Sequence, residues 1–143
     1  MAKVFFITLH DPHALGVRQL ASYIALHGHT SFFGFVRNFR QITVDTIPDE
    51  GYVMCKRGNI RIPAVDAEGP LKDEELRLLC DAVKKFSPDI IGFSGRTLVY
   101  PLVPQLLEAL RKAAPSALLV CGGMGPTVDP DQYLCVGADV VVK

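Results

Sequence analysis

Asp11 and His13 stand two residues apart where an apolar run, Val4 to Leu9, gives way to a turn that Gly16 closes. A neutral imidazole is a competent ligand for a borderline transition metal. A carboxylate beside it can accept a hydrogen bond from the second ring nitrogen, which fixes the tautomer and raises basicity. Taken alone, an Asp-x-His in a loop is also an ordinary turn with a solvated histidine. Further along, Ser94 and Thr97 lie in "FSGRTL", and Gly122 and Gly123 lie in "CGGMGPT". Hydroxyls can hold a polar group by hydrogen bonds, and glycines leave room beside the backbone. Singly these are weak signals, because turns use serine and glycine freely. Arg96 is as readily a surface arginine as a contact for an anion. His10, His27 and His29 have no assigned role; the last two flank a helix end, where positive charge is favourable.

The elements that must position these residues follow from periodicity. Val4 to Leu9 reads as a strand buried on both faces. Val17, Leu20, Ala21, Ile24 and Ala25 recur at helical spacing, and Gly28 stops that helix. Thr30 to Val36 is a second strand. Asp73, Glu74 and Glu75 start a helix whose apolar face is Leu76, Leu79, Cys80, Val83 and Phe86. Asp89 to Phe93 is a third strand, and Leu102 to Leu110 a helix with Pro101 near its first turn. Ala117 to Cys121 is a fourth strand, Pro130 to Cys135 a short helix, and Ala138 to Val142 a fifth strand.

Strands alternating with helices predict an α/β, doubly wound, flavodoxin-like or Rossmann-like domain. Five strands with right-handed crossovers take the order 2-1-3-4-5. The first and third strands are then neighbours, and a crevice opens at their carboxyl ends. "LHDPHALG", "FSGRTL" and "CGGMGPT" all land there. The connection over residues 37–72 is long and insertion-like. It holds "YVMCKRGNIRIP", which reads as a hairpin turning at Arg57-Gly58-Asn59.

The chain of 143 residues suits one domain, 1–143. Lys+Arg equals Asp+Glu, and a net charge of zero argues weakly against a nucleic-acid or membrane-surface role, which usually leaves a basic footprint. No apolar run approaches the roughly 20 residues of a membrane span. The four cysteines, Cys55, Cys80, Cys121 and Cys135, have no metal-ligand spacing and read as small buried hydrophobes of a cytoplasmic protein. The fifth strand is followed by no helix, so the expectation is a fragment of a longer chain.

Asp11-Pro-His13-Ala-Leu-Gly16 resembles the Asp-x-His-x-x-Gly motif of cobalamin-binding domains of the methionine synthase and mutase type. Ser94 and Gly122-Gly123 match two further elements of that pattern, a Ser-x-Leu and a Gly-Gly. Arg96 departs from it, standing where the family has leucine. "IIGFSGRTLVYP", "VCGGMGPTVDP" and "GADVVVK" look more like the N-terminal cobalamin-binding domains of radical S-adenosylmethionine enzymes. There Ser94 and Thr97 match a Ser-x-x-Thr, and Gly-Gly is followed by Pro-Thr. Many members of that subgroup lack the histidine.

The resemblance implies cobalamin as cofactor, bound through Asp11, His13, Gly16, Ser94, Thr97, Gly122 and Gly123. The nucleotide tail leaves cobalt and enters the protein, and His13 takes the vacated lower position. Asp11 orients the His13 ring, Gly16 admits the tail, Ser94 and Thr97 bond it, and the glycine pair leaves room for it. Burial of the tail's base contributes about 25 cal/mol per Å² of apolar surface. A downstream catalytic domain is implied as partner, in methyl transfer or radical rearrangement. Its iron–sulfur cluster and S-adenosylmethionine belong to a CxxxCxxC segment that this sequence lacks, so the chain alone is read as a cofactor-binding module. Two other readings of the fold are a non-enzymatic binding or signalling module and a flavin or nucleotide binder. A receiver domain needs an aspartate where Ser94 stands, and no GxGxxG or Ser/Thr-rich phosphate loop follows the first strand.

Overall fold

The computed structural model describes residues 1–11, 13–36, 52–54, 61–63 and 70–143. The chain divides into two units, Met1–Asn38 with Pro70–Lys143, and Phe39–Gly69. The second unit occupies the expected long connection. Within it β3 (Tyr52–Met54) pairs antiparallel with β4 (Arg61–Pro63). The expected turn at Arg57-Gly58-Asn59 and Cys55 lie outside the described residues.

The first unit is a five-stranded sheet of β1 (Lys3–Leu9), β2 (Thr30–Val36), β5 (Ile90–Ser94), β6 (Leu118–Gly122) and β7 (Val140–Val141). The order is β2-β1-β5-β6-β7 and every pairing is parallel, which is the 2-1-3-4-5 arrangement. β1 sits inside the sheet, and all its residues from Val4 to Leu9 are buried. Alternation sends Phe5, Ile7 and Leu9 to one face and Val4, Phe6 and Thr8 to the other.

On the first face lie α2 (Asp73–Phe86) and α3 (Val103–Ala113). Acids fill the first turn of α2 and Lys84 and Lys85 its last, complementing the helix dipole. The Glu75 carboxylate accepts the Lys72 backbone N–H at 2.7 Å. Leu79 and Val83 meet Val103, Leu106, Leu107 and Leu110 over the sheet. Gln105 ties the helix to the chain entering α2, accepting the Leu71 N–H at 2.8 Å and donating to its carbonyl at 3.0 Å.

Two local readings differ from the structure. Pro101 does not start α3; it lies inside a 3-10 run, Thr97–Leu102, and Pro104 takes the first-turn place. A proline has no backbone N–H to give to a helical ladder, and the regular helix begins only after Pro101, at Val103. "MGPTV" is a short helix, α4 (Met124–Val128), where glycine and proline suggest only a loop. A tertiary hydrogen bond, Gly125 N–H to the Gly95 carbonyl at 2.9 Å, holds it. α5 (Pro130–Cys135) falls where expected, capped by Asp129.

The opposite face is covered unevenly. α1 (Leu15–Leu26) packs through Ala14, Val17, Ala21 and Ile24 on Val4, Phe6, Phe33 and Ile90. Leu20 and Ala25, expected on its apolar face, are exposed. Beside α1, on the same face, Leu118, Val140 and Val142 are exposed and Gly92, Val120, Ser94 and Gly122 half-buried. Among the described residues, no helix is long and apolar enough to cross a membrane.

Candidate functional site

Parallel strands place all their carboxyl ends on one edge, and three loops are bonded together there. Gly95 N–H donates to the Gly122 carbonyl at 2.9 Å, joining the loops after β5 and β6. Arg96 Nη2 meets Asp11 Oδ2 at 3.0 Å, joining the loop after β5 to the one after β1. Two non-glycine residues of that loop, His10 (φ 56°) and Ala14 (φ 38°), adopt left-handed backbone. Such conformations persist where surrounding contacts over-determine them, and they gather at ligand sites.

Asp11 is the hub. Its Oδ1 accepts the backbone N–H of Ala14 at 2.9 Å and of His13 at 3.2 Å. Its Oδ2 takes Arg96. The Ala14 N–H, then the Arg96 charge and the His13 N–H, hold its carboxyl below the ordinary aspartate value, against the desolvation that opposes them. Asp11 therefore meets His13 through the backbone, not through the ring as the sequence suggested. The His13 side chain is exposed at the lip of the site. Gly16 lies inside the first turn of α1 rather than in the turn before it, and a Cβ there would meet nothing within 4 Å.

Ser94 and Gly122 are register partners, and Ser94 pairs with Thr8, so Thr8, Ser94 and Gly122 form one row across three strands. The row faces the α1 side, next to the half-exposed strip of β5 and β6. A Cβ on Gly122 would find only Val142, at 3.8 Å, so the row has room beside it. Gly123 differs. Its φ is 93°, and a Cβ would come within 3.0 Å of both Ser94 Oγ and the Gly95 carbonyl. Its missing side chain admits the neighbouring loop, not open space. Thr97 is exposed at the head of the 3-10 run.

Three residues of this edge escaped the sequence reading. Thr8 is buried in the run and donates its Oγ1 hydrogen to the Asp11 carbonyl at 3.0 Å. A hydroxyl in an otherwise apolar strand was the available signal. His10, given no role from the sequence, is buried, with its backbone N–H on the Val36 carbonyl at 3.1 Å. Tyr133 of α5 is 1 % exposed, and its hydroxyl lies under Gly95 and Gly125. Among the described residues that hydroxyl has no hydrogen-bond partner, and burial pushes it up to about 12. Helical periodicity marks Tyr133 only as core. His27 and His29 stand at the other end of α1, where His29 Nδ1 accepts the Ala2 N–H at 3.0 Å.

A family model described as the B12 binding domain matches residues 63–143, more than half of the 143-residue chain. The chain belongs to the B12-binding domain family. Cobalamin is the cofactor of this B12-binding domain. The matched span holds Ser94, Thr97, Gly122 and Gly123; Asp11, His13 and Gly16 lie upstream of it. Among solved structures, the domain is similar to the 1.5 Å crystal structure of a novel cobalamin-binding protein from Desulfitobacterium hafniense DCB-2. The identity is 20 % and the TM-score 0.60, over 99 % of this chain and 52 % of that one. At that identity the likeness is one of fold, and this chain spans about half the length of that protein. No curated protein sequence matches.

The residues present fit the cofactor. The space beside Gly122 and over Gly16, the half-buried Ser94 hydroxyl and the half-exposed apolar strip suit a flat base on a polar linker. Among the described residues, no group of three or more His, Cys, Asp or Glu could hold a metal ion by itself.

Proposed function

We propose that the domain seats cobalamin on the carboxyl edge of the sheet, with the nucleotide tail along the row of Thr8, Ser94 and Gly122. Ser94 and Thr97 offer hydroxyls to the tail, Gly16 and Gly122 leave it space, and His13 serves as protein ligand to cobalt. Gly123 keeps the loops after β5 and β6 in contact, so that Ser94 is presented at a fixed place. When bound, cobalamin supplies a cobalt centre that carries a methyl group or initiates radical chemistry. The domain itself binds and orients, and the partner we propose is a radical S-adenosylmethionine domain working in the cytoplasm on methyl transfer or rearrangement. The Ser94-x-x-Thr97 loop and the Pro-Thr after the glycine pair support that affiliation.

The open row beside Gly122, level with Ser94, carries this reading. The test is direct. Purified protein is mixed with hydroxocobalamin, desalted, and its visible spectrum recorded beside its circular dichroism. Retained corrinoid absorbance is expected. Folded protein that emerges colourless would end the proposal. A changed bound spectrum in His13→Ala is expected from loss of a cobalt ligand, whereas an unchanged one would return His13 to the turn.

A further inference from the structure

The ion pair between Arg96 and Asp11 bears on what His13 can do. A metal-bound histidine donates its other ring N–H to a carboxylate, a backbone carbonyl or water, and a carboxylate partner orients the ring and raises its strength as a ligand. Asp11 is the carboxylate beside His13, and both its oxygens are engaged. Oδ1 is held by the backbone of His13 and Ala14, and Oδ2 by Arg96 at 3.0 Å. The guanidinium takes one acceptor direction of Oδ2 and offsets the negative charge that would polarise an imidazole. Arg96 stands where the resembled Asp-x-His-x-x-Gly domains have an uncharged leucine.

We infer that Arg96 is a positioning residue that sets the lower coordination of cobalt, holding Asp11 away from the His13 ring and weakening His13 as a ligand. The inference rests on the cobalamin reading of this site and deepens it. Arg96 and Asp11 need not touch the cofactor; they act through His13.

The readout is the paramagnetic resonance of the cobalt(II) form of cobalamin, bound to protein uniformly labelled with nitrogen-15. The unpaired electron points along the axial direction. A protein imidazole then splits the cobalt lines into doublets, the cofactor's own unlabelled base splits them into triplets, and no axial nitrogen leaves them unsplit. Wild type is expected to show doublets alongside the other forms, with His13 bound in part of the molecules. Arg96→Leu frees Asp11 Oδ2, and the ratio of doublet to other forms should rise roughly tenfold or more, the usual weight of such an outer partner. The added His13→Ala change should abolish the doublet. Arg96→Met serves the same test if Arg96→Leu does not fold. A doublet fraction that is unchanged or lower without Arg96, or already complete in wild type, would overturn the inference while leaving cobalamin binding intact. Wild-type protein that retains no cobalamin would sink the underlying reading, and this inference with it.

Discussion

At the scale of residues, the site is organised by groups whose needs are met unequally. The Asp11 carboxylate accepts on both oxygens, whereas the Tyr133 hydroxyl is buried and has no hydrogen-bond partner among the described residues. A buried donor without a partner costs more than its absence. Tyr133→Phe should therefore leave the thermal midpoint unchanged or raise it, and a clear fall in calorimetry would refute this. Gly123 is the reverse case. Its φ of 93° is strained for any other residue, and a methyl group 3.0 Å from the Gly95 carbonyl would push that loop aside. Gly123→Ala should cost about 1–3 kcal/mol in urea denaturation, and a loss within error would mean the loop relaxes freely. Asp11, His13, Ser94 and the glycines were legible as a candidate set because they match a motif at fixed offsets and follow strands that share one edge, not because of any one type. That Gly123 serves a neighbouring loop and Gly122 an open row was not, since both are the same letter in sequence.

At the scale of elements, periodicity located the strands and the long helices because burial on one or both faces leaves a repeat in the apolar positions. Leu106 is fully buried where α3 meets the sheet. Leu106→Ala should destabilise by about 2–5 kcal/mol, measured by denaturant titration. The sheet's far edge depends on charge. The Arg111 guanidinium, with the Leu119 N–H, holds the Asp139 carboxyl below its ordinary value of 3.8. A carboxyl lowered in the folded state adds stability at pH values above its unfolded value, and that stability disappears as pH falls through the folded one. Stability should thus decline with acidification below about pH 4, and Asp139→Asn should flatten that decline. An unaltered acid slope in the variant would place the sensitivity elsewhere. Where periodicity failed, at "MGPTV" and around Pro101, the elements are a turn or two long. Such short pieces are set by contacts such as Gly125 to Gly95, which leave no repeat.

At the scale of the whole molecule, cofactor and fold are thermodynamically linked. Whatever binds the native state alone stabilises it by mass action, about 2.7 kcal/mol at a hundredfold excess over Kd. Hydroxocobalamin should raise the melting temperature in proportion to the logarithm of its concentration. Cobinamide, which lacks the nucleotide tail, should raise it less, because the row of Thr8, Ser94 and Gly122 would have nothing to hold. Equal shifts would remove the tail from that row.

By itself the sequence determined the parallel sheet, its order and the three loops that share an edge, because apolar period and chain connectivity constrain those directly. The cobalamin resemblance also rests on residue types at fixed offsets, which a linear chain displays. Only the tertiary structure decided who bonds whom at that edge. Asp11 and Arg96 are 85 residues apart in sequence, and a hydrogen bond depends on ångströms rather than on sequence distance. The partner of Asp11 is therefore a property of the folded loops alone.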